Sequence, residues 1–351
     1  MSPTPQRILI IRPSALGDVA RTVPCLASLR RAYPDAQIDW LVGSAFVDAV
    51  RAHPALSGVV PFDRKTKTSV WPLLRRLRRA KYDLVFDLQG LARSGLFAWA
   101  TRAPVRVGYA NARELGWLGV NHRHDIDPTR HAIERMTALL SAQGIEVVHD
   151  LSLHVPAEDR AWRETYGAEQ GLTAGRYACV APTAQWGCKC WPMSRYAEVT
   201  QRLLERDELD RVVILAAPHE QPKIQAGFTA LTPSQHERVL APTTTVGQLM
   251  ALLQDARMVV CNDSAPLHLA VGLDTPTVSL FGPTDPALVG PPPPPEAASP
   301  VPASTSASHR VLRAPSAVGQ TFNYRTHRDD DTLISELTVD AVWDAVVEQL
   351  P

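Results

Sequence analysis

Short β-branched, apolar runs alternate with helix-length periodic segments, and the alternation runs through this chain twice. In the first half the runs are RILIIR (7–12), QIDWLV (37–42), VVPF (59–62), YDLVFDL (82–88) and VRVGY (105–109), with helical patterns such as 19–32 and 70–80 between them. The pattern restarts with YACVAP (177–182), RVVILAAP (211–218), RMVVCND (257–263) and TPTVSLFG (275–282), separated by helical stretches near 194–206, 220–231, 245–255 and 265–273. Such alternation predicts βαβ units and parallel sheets. The expected fold class is therefore α/β, with two doubly wound, Rossmann-like domains, and 351 residues suit two cores.

The boundaries expected are 1–160 for the first domain and 170–337 for the second, because polar, glycine-containing sequence interrupts the periodicity between Val155 and Arg176. Residues 291–308, PPPPPEAASPVPASTSAS, cannot pack a core and read as a mobile loop of polyproline character. The last segment, 338–351, carries a helix with an apolar stripe, for which packing back on the first domain is one expectation.

Net charge is zero, yet residues 1–150 carry 21 Lys+Arg against 13 Asp+Glu, or +8, and the remainder 15 against 23, or −8. A basic first half suits a phosphate-bearing partner or an anionic membrane surface, and equally a set of solvated helices. With no signal-peptide pattern and no apolar run of bilayer length, cytoplasmic residence is the expectation. The five cysteines form no paired CxxC framework, and Cys188-Lys189-Cys190 supplies two ligands where zinc needs more. His122-Arg123-His124-Asp125 reads as a solvated loop.

In open parallel sheets, ligands sit beyond the carboxyl ends of strands. The first such loop, RPSALGD (12–18), lacks both the dinucleotide fingerprint and the triphosphate cradle. Gly17 permits close backbone approach just before Asp18. Asp18 reads either as a helix N-cap or as a general base aimed into a cleft. The loop 261–273, CNDSAPLHLAVGL, places Pro266 in a first helical turn, so the helix presents free N–H groups and the Ser264 hydroxyl, a ready phosphate site, or else an ordinary cap with His268 facing the core. Asp263 would repel a phosphate and suits capping or holding a hydroxyl. Lys189, between Trp186 and Trp191, is a candidate to neutralise a departing phosphate, and Glu220 either holds ribose hydroxyls or starts a helix. Asp329-Asp330-Asp331 lies outside any predicted strand, so a site without metal is favoured.

RPSALGDVARTVP, FDLQGLARSGL, HAIERMTALL, KCWPMSRYAEV and NDSAPLHLAVGLDTPTVSLFGPTDP, in this order, resemble the bacterial lipopolysaccharide heptosyltransferases of glycosyltransferase family 9, over residues 7 to about 290. NARELGWLGVNHRH (111–124) resembles the heptosyltransferase I branch, which acts on the Kdo residues of lipid A. The resemblance implies two Rossmann-like domains facing a cleft (GT-B architecture) and inverting, metal-independent transfer from ADP-heptose, with no cofactor. It implies Asp18 as general base, Lys189 on the donor phosphate, and Asp263, Ser264, Ala265 and His268 as the donor loop. Glu220 falls at a nucleotide contact, with Ser14, Gly17 and Thr183 also on the donor side. Arg113 falls on the acceptor side, joined by the basic run Arg64, Lys65 and Lys67. The implied partners are a nucleotide sugar and a phosphorylated glycolipid at the inner membrane face, with no nucleic acid, which would make the chain cytoplasmic and peripheral to that membrane.

This sequence departs from the family pattern in three places. Ser264-Ala265 replaces the usual Thr-Gly, Cys190 replaces a basic residue after the lysine, and the proline-rich segment replaces ordinary sequence. Three other readings stay open: a nucleotide-sugar epimerase, a transferase using a different nucleotide sugar, and a non-catalytic nucleotide-sugar-binding relative.

Overall fold

The computed structural model describes residues 4–66, 70–292, 308–320, 322 and 329–350. Lys67 and most of the proline-rich segment lie outside the described residues. Described residues up to His154 form one compact unit and those from Val155 onward a second.

The first unit runs β1 (Arg7–Ile11), α1 (Leu16–Ala20), α2 (Val23–Ala32), β2 (Gln37–Gly43), β3 (Gly58–Phe62), α3 (Val70–Arg79), β4 (Leu84–Asp87), α4 (Ala92–Thr101), β5 (Val105–Tyr109), β6 (His122–His124) and α5 (Ala132–Ser141). Its six strands are parallel, in the order β3-β2-β1-β4-β5-β6, with Ile8 level with Ile38 on one side and Leu84 on the other. All but the first residue of β1 are buried, as expected for a central strand covered on both faces. Leu73 and Leu77 of α3 and Phe97 and Ala98 of α4 pack with Leu9, Ile11 and Val85 into one core.

The second unit runs α6 (Ala157–Gln170), β7 (Tyr177–Ala181), α7 (Met193–Leu204), β8 (Arg211–Ile214), α8 (Gln221–Gly227), α9 (Pro233–His236), β9 (Val239–Leu240), α10 (Val246–Gln254), β10 (Met258–Asn262), α11 (Ala265–Gly272), β11 (Thr277–Phe281), α12 (Pro286–Val289), β12 (His309–Arg313) and α13 (Val339–Val347). Its sheet order, β12-β11-β10-β7-β8-β9, repeats the first unit's topology. Each sheet therefore has one point where strand order reverses, between β1 and β4 and between β7 and β10. That is where an open α/β sheet leaves a crevice for ligand.

Two expectations need correction. The division falls at His154, not near 160–170, because α6 belongs to the second unit: Gly247 of α10 sits so close to Asp159 of α6 that any side chain would collide with the carboxylate. The stripe of α13 finds partners in its own unit: Val342, Val346 and Leu350 join Tyr196, Val199 and Leu280 in one core. Residues 122–124 are a parallel edge strand on β5, not a solvated loop; Asn121 leads into it by accepting from the Arg106 N–H at 2.7 Å. Strands β9 and β12 escaped sequence reading, the former because it has two residues and the latter because it follows the proline-rich segment.

Candidate functional site

Residues singled out in the sequence gather at the two reversal points, each within its own unit. In the first, the chain leaves β1 through Arg12–Ala15 and turns directly into α1. Asp18 is the third residue of that helix, and Ala15 holds the N-cap position, so Asp18 is not the cap. Its carboxylate instead takes one guanidinium on each oxygen: Arg12 Nη2 lies 2.7 Å from Oδ2, and Arg21 pairs with Oδ1. The side chain keeps 29% of its exposure. These two guanidinium groups fix its orientation.

Arg12 also donates to the Leu88 carbonyl, which ties Asp18 to the loop after β4. There Gln89 Oε1 accepts from the Ser14 N–H at 3.2 Å, and the Gly90 carbonyl accepts from the Arg113 N–H at 3.1 Å. One sheet edge thus carries Asp18, Ser14, buried Gly17 and exposed Arg113. Arg64 and Lys65 do not join this group; they are exposed beyond the edge strand β3, where Asp63 Oδ1 accepts from the Lys65 N–H at 2.8 Å.

Asp87, at the end of β4, was missed in the sequence. Burial pushes its carboxyl up to about 6, against bonds from the Gly90 N–H, the Ser94 hydroxyl and the Gln89 N–H and the charge of Arg12. Asp87 therefore shapes the turn that presents Gln89 and Gly90. The signal was present: a strand-final carboxylate in an otherwise apolar run.

In the second unit, a tight turn, Gly187–Lys189, follows β7. The Cys190 thiol lies 3.7 Å from the Ala184 carbonyl, within donating range, and helps close the loop. Lys189 Nζ reaches the loop after β10 and pairs with Asp263 Oδ2 at 2.6 Å, the two side chains being 14% and 5% exposed. The Thr284 hydroxyl donates to the same oxygen at 2.8 Å, and His268 Nε2 stands 3.9 Å from Oδ1. Burial alone would raise the Asp263 carboxyl, but the Lys189 charge, His268 and the two side-chain bonds outweigh it and hold it below the ordinary value. Asp263 is thus the partner of Lys189 rather than a helix cap.

Asn262, also missed, pins both loops. Its Oδ1 accepts from the Trp191 N–H at 3.1 Å and from the Tyr196 hydroxyl at 2.9 Å, and its Nδ2 donates to the Pro182 carbonyl at 2.8 Å. A strand-final Asn followed by Asp was the clue available. Beyond it, Ser264 is the N-cap residue of α11 yet makes no capping bond, and its buried Oγ has no hydrogen-bond partner among the described residues. Ala265 opens the helix. A buried hydroxyl beside uncapped helix N–H groups is an acceptor-seeking arrangement, the kind that binds a phosphate. One strand over, Glu220 Oε2 accepts from the Thr183 hydroxyl at 3.0 Å and from the Ala217 N–H at 2.8 Å. The second edge therefore brings together Thr183, Lys189, Glu220, Asp263, Ser264 and His268.

In sequence and fold the chain is similar to known glycosyltransferases. The model of glycosyltransferase family 9 (heptosyltransferase) matches residues 70–310. The chain is 32% identical to lipopolysaccharide heptosyltransferase 1 of Pseudomonas aeruginosa over 300 residues, 81% of each chain. To the Escherichia coli protein of the same name it is 28% identical over 302 residues, covering 81% of this chain and 90% of the other. Among solved structures it resembles E. coli ADP-heptose lipopolysaccharide heptosyltransferase II, with TM-score 0.78, 22% identity and 98% of both chains covered. It also resembles E. coli heptosyltransferase WaaC with ADP-2-deoxy-2-fluoro heptose, with TM-score 0.72, 26% identity, and 97% of this chain and 99% of the other covered.

Proposed function

The chain belongs to glycosyltransferase family 9, the heptosyltransferases, and from that premise we propose that it moves a heptose from ADP-heptose to a Kdo/lipid A-type acceptor of the lipopolysaccharide core, inverting the anomeric centre without a metal. The acceptor hydroxyl attacks the anomeric carbon as the bond to ADP breaks. Asp18 accepts the hydroxyl proton, and ADP departs with the bonding electrons. A carboxylate need not deprotonate a free alcohol for this, because the proton becomes acidic as the new C–O bond forms, and such assistance is worth roughly 10²–10⁴-fold.

The observation that carries the reading is the buried Ser264 hydroxyl, without a partner among the described residues, at the N-terminus of α11, next to the paired Lys189 and Asp263. The Asp263 bond fixes the Lys189 ammonium beside the start of α11, where its positive charge stabilises a departing diphosphate. In this reading Glu220 and Thr183 meet the nucleotide, and Arg113 meets the acceptor from the Asp18 edge. Arg64, Lys65 and Lys67 add positive charge toward acceptor phosphates. The reaction runs at the cytoplasmic face of the inner membrane, with the chain peripheral to it.

The test is to incubate the purified protein with Kdo-bearing lipid A and a panel of nucleotide sugars, with and without chelator, and follow acceptor mass. A heptose increment from ADP-heptose alone, unchanged by chelator, is expected. Transfer from another nucleotide sugar, or release of a free altered sugar without acceptor, would replace the reading.

A further inference from the structure

Part of the first unit's surface, on α3, α4 and the segment after β5, has a composition unlike ordinary solvated surface. Helix α3 reads VWPLLRRLRR, and no acidic residue lies between Val70 and Tyr82. Leu73 and Leu77 point into the core, while Trp71, Arg75 and Arg79 recur every fourth residue on the exposed stripe, with Trp71 71% exposed. Pro72, Arg75, Arg76, Arg79 and Ala80 line a shallow cavity of about 540 Å³. The neighbouring helix α4 exposes Leu96 and Trp99, three residues apart on one face.

Residues 113–119 extend the apolar part of this face. Gly95 of α4 meets Gly116 and Gly119 so closely that a methyl on Gly119 would lie 1.9 Å from the Gly95 carbonyl oxygen, so the segment is clamped flush on α4. Glu114 and Leu115 then adopt left-handed backbone at φ 57° and 61°, a region unfavourable for any residue with a side chain. The outcome of that strained turn is a leucine 62% exposed, with Leu118 exposed beside it. Two tryptophans and three leucines in solvent on adjoining elements exceed the scattered apolar residues normal for a surface.

We propose that this face, formed by α3, α4 and residues 113–119, is a docking surface for an anionic lipid bilayer. Arginines supply attraction to acidic headgroups, and the cavity among Arg75, Arg76 and Arg79 fits a headgroup phosphate. Indole and leucine side chains suit the boundary between headgroups and acyl chains. A second copy of the chain is a poorer occupant, because face-to-face pairing would set one arginine row against another. The proposal rests on the peripheral membrane placement of the proposed function and names its surface; because binding to lipid is read without turnover, its failure leaves the transfer reaction standing.

The test uses the full chain and sedimentation with phosphatidylcholine vesicles, with and without phosphatidylglycerol. The wild type is expected to sediment only with the anionic vesicles, to be released by high salt, and to lose tryptophan fluorescence against brominated acyl chains. Each arginine near such a surface is worth roughly fivefold in affinity, so Arg75→Ala with Arg79→Ala should weaken binding roughly thirtyfold. Trp71→Ser with Trp99→Ser should lose both binding and most of the quenching. All four side chains are exposed, and unchanged circular dichroism will establish that the variants fold. Equal binding by wild type and variants, no preference for anionic vesicles, or self-association lost in the tryptophan variant would overturn the proposal.

Discussion

Replacing Lys189 by Met removes the cation from a carboxylate that is 5% exposed. Breaking a buried ion pair by deleting one partner typically costs 3–5 kcal/mol, because the remaining charge stays buried. Thr284 and His268 still face Asp263, so the lower end, about 3 kcal/mol, is the expectation at neutral pH. For a unit of this size that corresponds to roughly 6–12 °C in Tm. The pH dependence is the sharper test. In the wild type the Asp263 carboxyl is held below its ordinary value, so its stabilisation is present above about pH 4, the unfolded value, and is lost as pH falls through the lowered folded value. In Lys189→Met burial dominates and the folded value rises above the unfolded one, which reverses the sign. Stability from that group is then complete below about pH 4 and is lost as pH rises through the raised value. The gap between the two proteins should widen from acid toward neutral pH, and Asp263→Asn in the Lys189→Met background should recover much of it. Urea melts of the full chain, followed by Trp191 fluorescence, measure this. A loss under about 1 kcal/mol that does not vary with pH would refute the argument, placing the pair among ordinary exposed ion pairs.

Asp87 gives a second linkage test. Its carboxyl is raised by burial to about 6, so stability from this group is present below about pH 4 and lost as pH rises through 6, by roughly 3 kcal/mol. Asp87→Asn should flatten the urea-melt stability of the first unit across that window. Ser264→Ala deletes a buried hydroxyl that has no partner among the described residues, so melting should be unchanged or slightly improved, while calorimetry should find ADP-heptose bound roughly fivefold more weakly, the worth of about one hydrogen bond.

The alternation of strand and helix was plain in the sequence because buried parallel strands such as RILII and YACVA are continuous apolar runs. Strand order was not, since nothing in a strand's own sequence says which neighbours flank it. Asp18, Lys189 and Ser264 could be found from their place after strands. Their partners could not: Arg12, Arg21 and Thr284 look like any other polar residues until the loops are folded, and only the closed loop shows Asp263 beneath Lys189. The partners of the terminal helix were illegible for a related reason, because an apolar stripe states that it must be covered and leaves open by what.

The central claim is that the Asp18 carboxylate takes the proton of the attacking hydroxyl. Asp18→Asn retains the shape and one acceptor oxygen, keeping one of the two guanidinium bonds and turning its NH2 toward the other, so steady-state heptose transfer by this variant is read beside calorimetric ADP-heptose binding and circular dichroism, which separate loss of the base from loss of fold or donor site. The expected result is a kcat lower by roughly 10²–10⁴-fold with donor binding and fold intact; a folded Asp18→Asn enzyme turning over at close to the wild-type rate would contradict it.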